Sequence, residues 1–260
     1  MRAGQSGRAG AVLSGVQFFG LLGRRGIFDA PQVEAAIRPD DVHFPVTRLV
    51  VIENTHNRGG GTVFPLTRIL EVRDVASRRG LRMHMDGARL WNACITSGIK
   101  PSEYAAPFDS LSVCLSKGLG CPVGSLIAGS KEFIRRAYRF RKMVGGGTRQ
   151  AGVLAAAGIY ALDHHFERLE EDHRKAKKLA RGLANIKNVT IEPEEVETNI
   201  LYFDISQDGR SAQEIAAAMK EKGVLVHPTG KSLIRSVTHM DVSFEEIDRA
   251  LDCVETVMAA

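Results

Sequence analysis

From residue 48 onward, short apolar runs alternate with segments whose apolar residues recur at helical spacing. The apolar runs predict strands at 49–52, 81–85 and 111–115. The helical patterns predict helices at 66–79, 88–97, 131–144 and 149–164. Gly80 and Gly98 follow the first two helices, as glycine commonly does at a helix end. This alternation is typical of an α/β domain with a largely parallel sheet, which we assign to residues 29–166.

A change of pattern after Gly182 predicts a smaller α+β unit. Its predicted strands are 198–205, 224–227 and 233–237, and its predicted helices are 211–222 and 243–258. Ser211 is the expected N-cap of the first helix, and Ser243 with Glu246 forms a capping box at the second. Charged residues dominate 167–181, which predicts a solvated helix between two domains. Residues 167–260 are therefore expected to form a linker helix and a small C-terminal domain.

The composition is that of a globular protein, with 44% hydrophobic residues among 260 and a formal net charge of +5. So small a charge argues only weakly for nucleic acid, and an anion such as phosphate would account for it. The longest apolar stretch, 151–162, is too short to span a bilayer, so no transmembrane helix and no membrane partner are expected. The four cysteines lack CxxC spacing, which predicts buried thiols and a reducing compartment such as the cytoplasm.

The first 28 residues form an atypical segment. They contain several arginines and no acidic residue before Asp29, around the apolar stretch 11–22. This composition loosely matches a mitochondrial transit peptide, so a mitochondrial location is the alternative to a cytoplasmic one. A misplaced or shortened start is the other explanation.

Lys117 is the residue with the strongest chemical signal. It follows the predicted strand 111–115 and is followed by Gly118 and Gly120. Ligands of open α/β sheets bind at the carboxyl ends of the strands, and a lysine amine there can form a Schiff base with an aldehyde. The alternative is a solvated surface lysine.

Asp86 and Arg89 lie at the end of the strand that precedes Lys117 in the chain. A carboxylate at Asp86 can keep a pyridine nitrogen protonated, and the strong alternative is an N-cap of the helix near Ala88. Arg89 can contact the phenolic oxygen of such a ring or a substrate carboxylate, and the alternative is an ion pair with Asp86. Together with Lys117, these residues predict a pyridoxal-phosphate enzyme.

Four blocks of sequence resemble, in order and spacing, the low-specificity L-threonine aldolases. They are ENTHN at 53–57, HMDGAR at 84–89, SKGLGCPVGS at 116–125 and GGGTRQAG at 145–152. The resemblance covers about residues 29–260 and implies an aminotransferase-like, pyridoxal-phosphate fold type I large domain followed by a small α+β domain. It also implies retro-aldol cleavage of a small β-hydroxy-α-amino acid, L-threonine or L-allo-threonine, to glycine and acetaldehyde.

The same resemblance implies roles for individual residues. Lys117 is the Schiff-base lysine, Asp86 the partner of the ring nitrogen, and Arg89 a contact of the cofactor oxygen and the substrate carboxylate. Arg235, in the block RSVTH at 235–239, grips the same carboxylate.

Four further residues have both a functional and a structural interpretation. His43 matches a histidine near the β-hydroxyl, where it would take the proton directly or through water; a packed or exposed structural histidine is the alternative. Arg149 matches an arginine that reaches the cofactor phosphate of a neighbouring subunit, which implies a homo-oligomer with a shared active site. The alternative is an exposed arginine after a helix end. His56 and Asn57 either line the cofactor or cap a loop.

Family members carry a glycine-rich phosphate loop and a ring-stacking histidine before the region that matches here, so the large domain is expected to be N-terminally incomplete. Gly4, Gly7 and Gly10 do not form such a loop, because no strand precedes them. An alternative function is therefore a catalytically inactive fragment that associates with an intact subunit. A nucleic-acid binder that uses the basic segment 135–142 is disfavoured, since its spacing predicts a helix with one solvated and one packed face.

Overall fold

The computed structural model describes residues 6–260. Its helices are α1 (Ser6–Ser14), α2 (Ala30–Ala36), α3 (Leu66–Arg78), α4 (Leu90–Ser97), α5 (Pro101–Ala105), α6 (Lys131–Met143), α7 (Gly152–His164), α8 (Leu169–Leu183), α9 (Ala212–Glu221) and α10 (Phe244–Ala259). Its strands are β1 (Leu49–Glu53), β2 (Arg82–Gly87), β3 (Ser110–Cys114), β4 (Ser125–Gly129), β5 (Ile200–Asp204), β6 (His227–Pro228) and β7 (Leu233–Val237).

Strands β1 to β4 form one sheet in chain order. The predicted parallel sheet is confirmed for β1, β2 and β3, with Val51 opposite His84 and Met85 opposite Leu111. The apolar pattern does not predict β4, which pairs antiparallel with β3. A glycine-rich segment precedes β4. The five residues of β4 are too few to show a clear alternation of apolar and polar positions.

One face of this sheet is covered and the other is open. Ile52 and Met83 are fully buried and share an apolar cluster with Ile69 of α3. Leu49 and Val51 alternate with the buried positions of β1 and are 49% and 43% exposed. The alternation arises because successive strand residues point to opposite faces.

Helix α8 is the largest departure from the sequence prediction. Eight of its 15 residues are buried, among them Asp172, His173 and Lys175. The prediction of a solvated helix is wrong because α8 packs against both α4 and α10, which cover much of its surface. Its buried charges are paired, with 3.5 Å between Lys175 Nζ and Asp172 Oδ1.

The second sheet has the order β5-β7-β6 and is antiparallel. The predicted strand 233–237 is confirmed residue for residue, whereas the strand expected at 224–227 is reduced to the short β6. Both predicted helix starts are confirmed. Ser211 accepts a hydrogen bond from the amide of Glu214, and Ser243 accepts one from the amide of Glu246.

Two composition-based predictions can be compared with the structure. All four cysteines are free and buried, as expected for core thiols. Among residues 6–260, no helix is long and apolar enough to cross a membrane. The domain boundaries at 28/29 and 166/167 stay a prediction. So does targeting by residues 1–28, although Arg25 of this segment is 3.2 Å from Glu197 and donates to the Gly59 carbonyl at 3.1 Å.

Candidate active site

The carboxyl ends of the three parallel strands bring acidic and basic side chains to one edge of the sheet. Glu53 of β1 and Ser112 of β3 both pair in register with Asp86 of β2. Lys117 follows three residues after the end of β3. The edge therefore has the location at which open α/β sheets bind ligands.

The turn that carries Lys117 is fixed by its neighbours. Leu115 and Leu119 are buried on either side of the exposed lysine. A Cβ at Gly118 would lie 2.6 Å from the Leu169 side chain, so any larger residue there would require Leu169 to shift. Gly120 has a φ of +70° and donates its amide to the Lys117 carbonyl at 2.8 Å.

The amine of Lys117 is available for chemistry. Within residues 6–260, the hydrogen bonds of this lysine involve its main-chain carbonyl, which leaves Nζ without a protein partner. The positive charge of Lys117 affects ionisation of Cys114, the last residue of β3. Burial opposes ionisation of the Cys114 thiol, but hydrogen bonds from two serines and the charge of Lys117 outweigh it and lower the pKa of Cys114.

Asp86 neither caps α4 nor pairs with Arg89. Helix α4 begins at Leu90 with Arg89 at its N-cap position, and Asp86 Oδ1 instead accepts the amide of Ala88 at 3.1 Å. Among the ion pairs of the part of the chain that the structure describes, none joins Asp86 to a cation. Both alternatives considered for these two residues are therefore wrong, and the exposed carboxylate of Asp86 is available to a ligand.

Arg89 and Arg235 form the most distinctive electrostatic feature of the site. Burial lowers the pKa of Arg89, and the neighbouring charge of Arg235 lowers it further, against the opposite effect of Glu53. Arg235 Nη2 donates to Asn57 Oδ1 at 2.9 Å. Its Nε is buried and has no hydrogen-bond partner among the described residues. Two guanidinium groups with an unsatisfied donor between β7 and the parallel sheet are suited to a carboxylate.

His56 and Asn57 have separate roles. His56 caps a short turn, since its Nδ1 accepts the amide of Gly59 at 3.0 Å, which agrees with the loop-capping alternative. Asn57 holds Arg235 through its side chain, and its carbonyl accepts a hydrogen bond from the Tyr202 hydroxyl at 3.4 Å. Asn57 thus links the two sheets at the candidate site.

Two residues of the site are missing from the sequence prediction. Tyr202 lies opposite Arg235 in the β5–β7 register, and burial raises the pKa of its phenol against the lowering effect of the nearby arginines. The charge of Glu53 partly opposes the lowering of the Arg89 pKa, and its carboxylate accepts the amide of Asn57 at 3.0 Å. The position of Glu53 at a strand end could have indicated that it belongs to the site. No local pattern could have indicated that Tyr202 would lie opposite Arg235.

The structure does not bring His43 and Arg149 into this cluster. Both residues are exposed. The main-chain amide of His43 donates to Asp41 Oδ1 at 2.8 Å, within its own turn. Arg149 lies before α7, outside any helix. The roles assigned to these two residues, like those of the clustered ones, stay predictions.

The chain matches a known protein family and several curated proteins of similar sequence. A family model described as beta-eliminating lyase matches residues 4–206. The probable low-specificity L-threonine aldolase 2 of Arabidopsis thaliana is 42% identical over 235 residues, which are 89% of this chain and 66% of that protein. The low specificity L-threonine aldolase of Escherichia coli K12 is 41% identical over 222 residues, 85% of this chain and 64% of its own. The chain spans just under two thirds of the length of these curated relatives.

Solved structures confirm the predicted fold class. The crystal structure of a putative L-allo-threonine aldolase from Listeria monocytogenes matches with a TM-score of 0.78 at 20% identity. The match covers 96% of this chain and 71% of that one. An α/β large sheet followed by a small α+β unit is therefore the architecture that this chain shares with such enzymes.

Proposed function

Because the chain belongs to the beta-eliminating lyase family, we propose that it is a pyridoxal-phosphate-dependent aldehyde-lyase of the threonine aldolase type. The proposed reaction is retro-aldol cleavage of a β-hydroxy-α-amino acid, L-threonine or L-allo-threonine, to glycine and acetaldehyde. The substrate is therefore a small zwitterion, and its carboxylate is the group that the protein must recognise in every member of that class.

The paired arginines carry this proposal. Arg235 offers a buried Nε without a partner, and Arg89 lies close enough for each positive charge to disfavour the other. A buried unsatisfied donor costs about 1–3 kcal/mol, which a bound carboxylate would recover. A substrate carboxylate bridging both guanidiniums satisfies the orphaned donor and offsets the repulsion.

The residues at the sheet edge fit pyridoxal phosphate. Lys117 supplies a partner-free amine for attachment, and Asp86 supplies an exposed carboxylate for the protonated ring nitrogen. Arg89 is the side chain we assign to the phenolic oxygen as well as to the substrate carboxylate. When bound, this cofactor supplies an acceptor for the electron pair that the broken Cα–Cβ bond leaves on the α-carbon.

The protein's own contribution is to orient the substrate and to move one proton. Arg235 and Arg89 hold the carboxylate, which fixes the direction of the Cα–Cβ bond relative to Lys117. His43 receives the proton of the β-hydroxyl, directly or through water, and the carbonyl of the departing aldehyde forms as that proton leaves. His43 lies in an exposed turn at 41–44.

We also propose a homo-oligomer in which Arg149 binds the cofactor phosphate of the neighbouring subunit. Arg149 is exposed and faces no acidic residue in the described ion pairs. Around it, α6 and α7 expose large apolar side chains: Tyr138, Phe140, Met143, Val153, Ile159 and Tyr160. Exposed apolar patches commonly mark interaction surfaces, and a second copy would cover this one.

The proposed function is tested by trapping the cofactor and measuring turnover. The chain is incubated with pyridoxal phosphate, reduced with borohydride, and mapped by mass spectrometry, with Lys117→Ala as the test and Lys131→Ala as the matched exposed control. We expect a label at Lys117 that persists in the control and disappears in Lys117→Ala, with glycine formed from L-threonine by the unmodified chain. A label without glycine would favour the inactive fragment, and no label at Lys117 would overturn the proposal.

A further inference from the structure

The segment that follows β7 is anchored firmly to the small sheet and to α8. Thr238 is 2% exposed, its amide donates to the Asn199 carbonyl at 3.0 Å, and its hydroxyl donates to the Asp172 carbonyl at 2.6 Å. The Thr238 carbonyl accepts from Asn199 Nδ2 at 2.9 Å. Lys175 Nζ, itself nearly buried, approaches the next carbonyl, that of His239, at 3.5 Å. The main chain at His239 therefore has little freedom.

From this anchored main chain, the His239 ring extends to the lysine turn. Its Nε2 donates to the Lys117 carbonyl at 3.1 Å, since a carbonyl oxygen only accepts. Its Nδ1 lies 2.9 Å from Asp241 Oδ2. When both ring nitrogens carry a proton, Nδ1 donates to the Asp241 carboxylate while Nε2 donates to the Lys117 carbonyl, so the imidazolium makes both bonds at once.

A second histidine holds the other side of the same turn. His165, at the C-cap of α7, donates from Nδ1 to the Leu119 carbonyl at 2.8 Å. The two imidazoles come from different parts of the fold, and they hold carbonyls that are two residues apart. The His239 link is the one that connects the turn to β7, which also carries Arg235.

We infer that His239 is a positioning residue: it fixes the main chain of Lys117 relative to the strand that presents Arg235. The inference deepens the proposed function and rests on it for its chemical meaning, since Lys117 holds the cofactor and Arg235 the substrate carboxylate. His239 lies four positions after Arg235 along the chain. One strand end therefore sets the distance between the two groups that must act on one substrate.

Loss of the His239 ring should loosen the turn without unfolding it. The Lys117 carbonyl also accepts the amide of Gly120, and Leu119 is buried, so the turn keeps its local structure. The net contribution of one hydrogen bond corresponds to about fivefold in an equilibrium constant. We expect effects of that size on the turn and none on the small sheet.

The test compares His239→Ala with His239→Gln, because the glutamine amide nitrogen can replace the Nε2–H donor. His164→Ala is the matched control, since His164 is exposed, lies beside His165, packs on Tyr160 and makes no hydrogen bond to the lysine turn in the described residues. The first readout is amide hydrogen exchange in the cofactor-free chain. We expect exchange at Gly120 and Cys121, whose amides are hydrogen-bonded in the turn, to rise about fivefold in His239→Ala and to return toward the original rate in His239→Gln. Exchange in β5 and β7 should stay unchanged.

The second readout is the concentration of pyridoxal phosphate that half-saturates borohydride trapping at Lys117, which should rise about fivefold in His239→Ala and recover in His239→Gln. If exchange responds but Lys117 is never trapped in any chain, the proposed function fails while the positioning contact stands. If Lys117 is trapped equally in all variants and exchange at the turn does not change, the inference is overturned. Faster exchange throughout β5 and β7 would also overturn it, because the effect would then be structural.

Discussion

The three-stranded sheet and the corner formed by β4, α6 and α7 differ in how much of their apolar surface is covered. In β5, Ile200, Leu201 and Phe203 are at most 1% exposed, and Leu201 and Phe203 belong to a single core with α8, α9 and α10. In the corner, every residue of β4 is exposed, and no residue of α6 is buried. The expectation of a packed face on α6 is therefore wrong for this chain alone.

This difference separates side chains that stabilise the fold from side chains that are available to a partner. Side chains of the covered core stabilise the fold through the apolar area that they remove from water. Side chains of the corner remain in water, so their apolar character stabilises this chain little and suits them to a partner surface. The proposed homo-oligomer would use the corner, whereas the core around β5 is complete within one chain.

The largest expected effect is that of Phe203→Ala. Phe203 is 1% exposed, and removing a buried aromatic ring costs about 3–5 kcal/mol of the free energy of unfolding. The matched change in the corner is Ile159→Ala, at a residue that is 63% exposed, and it should cost less than about 0.5 kcal/mol. Urea unfolding of both variants measures the contrast. A cost for Ile159→Ala that grows with protein concentration would show that the corner is covered by a second copy in solution.

The second prediction concerns acid and the buried helix α8. His173 accepts a hydrogen bond from Asn92 Nδ2 at 3.0 Å and lies 3.2 Å from the Thr96 hydroxyl, so the ring is held in its neutral form. Burial, with a smaller effect of Lys177, lowers its pKa from 6.5 to about 4. As the pH falls, His173 is therefore protonated in the unfolded chain before it is protonated in the folded chain. Stability that is fully present above pH 6.5 is therefore lost progressively toward pH 4, by up to about 3 kcal/mol.

The measurement is the free energy of unfolding between pH 7 and pH 4. The variant His173→Gln should show a shallower loss over that interval, because it removes the group that titrates, even if it is less stable at pH 7. His164→Ala, at an exposed histidine of α7, should keep the full loss. Identical slopes for all three chains would contradict the assignment to His173.

Local signals in the sequence predicted the covered region well. The capping box of Ser243 and Glu246 is visible in four residues, and the strand 233–237 is a short run that begins and ends with apolar residues, so both appear in the structure as expected. Lys117 and Asp86 were found in the same way, from their positions after apolar runs. Arg235 entered only through family resemblance, because nothing near it in sequence indicates that it faces Arg89.

Contacts between distant segments could not be predicted. The charges of α8 look solvated in sequence, yet Asp172 and Lys175 are buried because α4 and α10 pack over them. The bond from His239 to Lys117 joins residues 122 positions apart, and no periodicity reports such a pairing. The sequence pattern predicts which face of a helix or strand is apolar, but it does not predict which other element packs against that face.

The third prediction uses the helix cap in the covered region. Ser243 caps α10, and its replacement by alanine should cost about 1 kcal/mol of the free energy of unfolding. The full cost should appear in global unfolding, since α10 packs on α8 and α9 and cannot separate from the core alone. Urea unfolding measures it, and Ser243→Thr, which keeps the hydroxyl, should restore most of the stability. An unchanged midpoint in Ser243→Ala would contradict the prediction.

The smallest global effect is expected for the equivalent cap in the corner. Ser130 caps α6 by accepting the amide of Phe133 at 3.2 Å, a bond like that of Ser243. None of the α6 residues is buried, so the first turn of α6 can open without exposing the core. Ser130→Ala should therefore shift global unfolding by only a few tenths of a kcal/mol while amide exchange in the first turn of α6 rises about fivefold. A global cost as large as that of Ser243→Ala would mean that α6 is held by contacts that one chain does not provide, and the corner would then belong to the assembled protein.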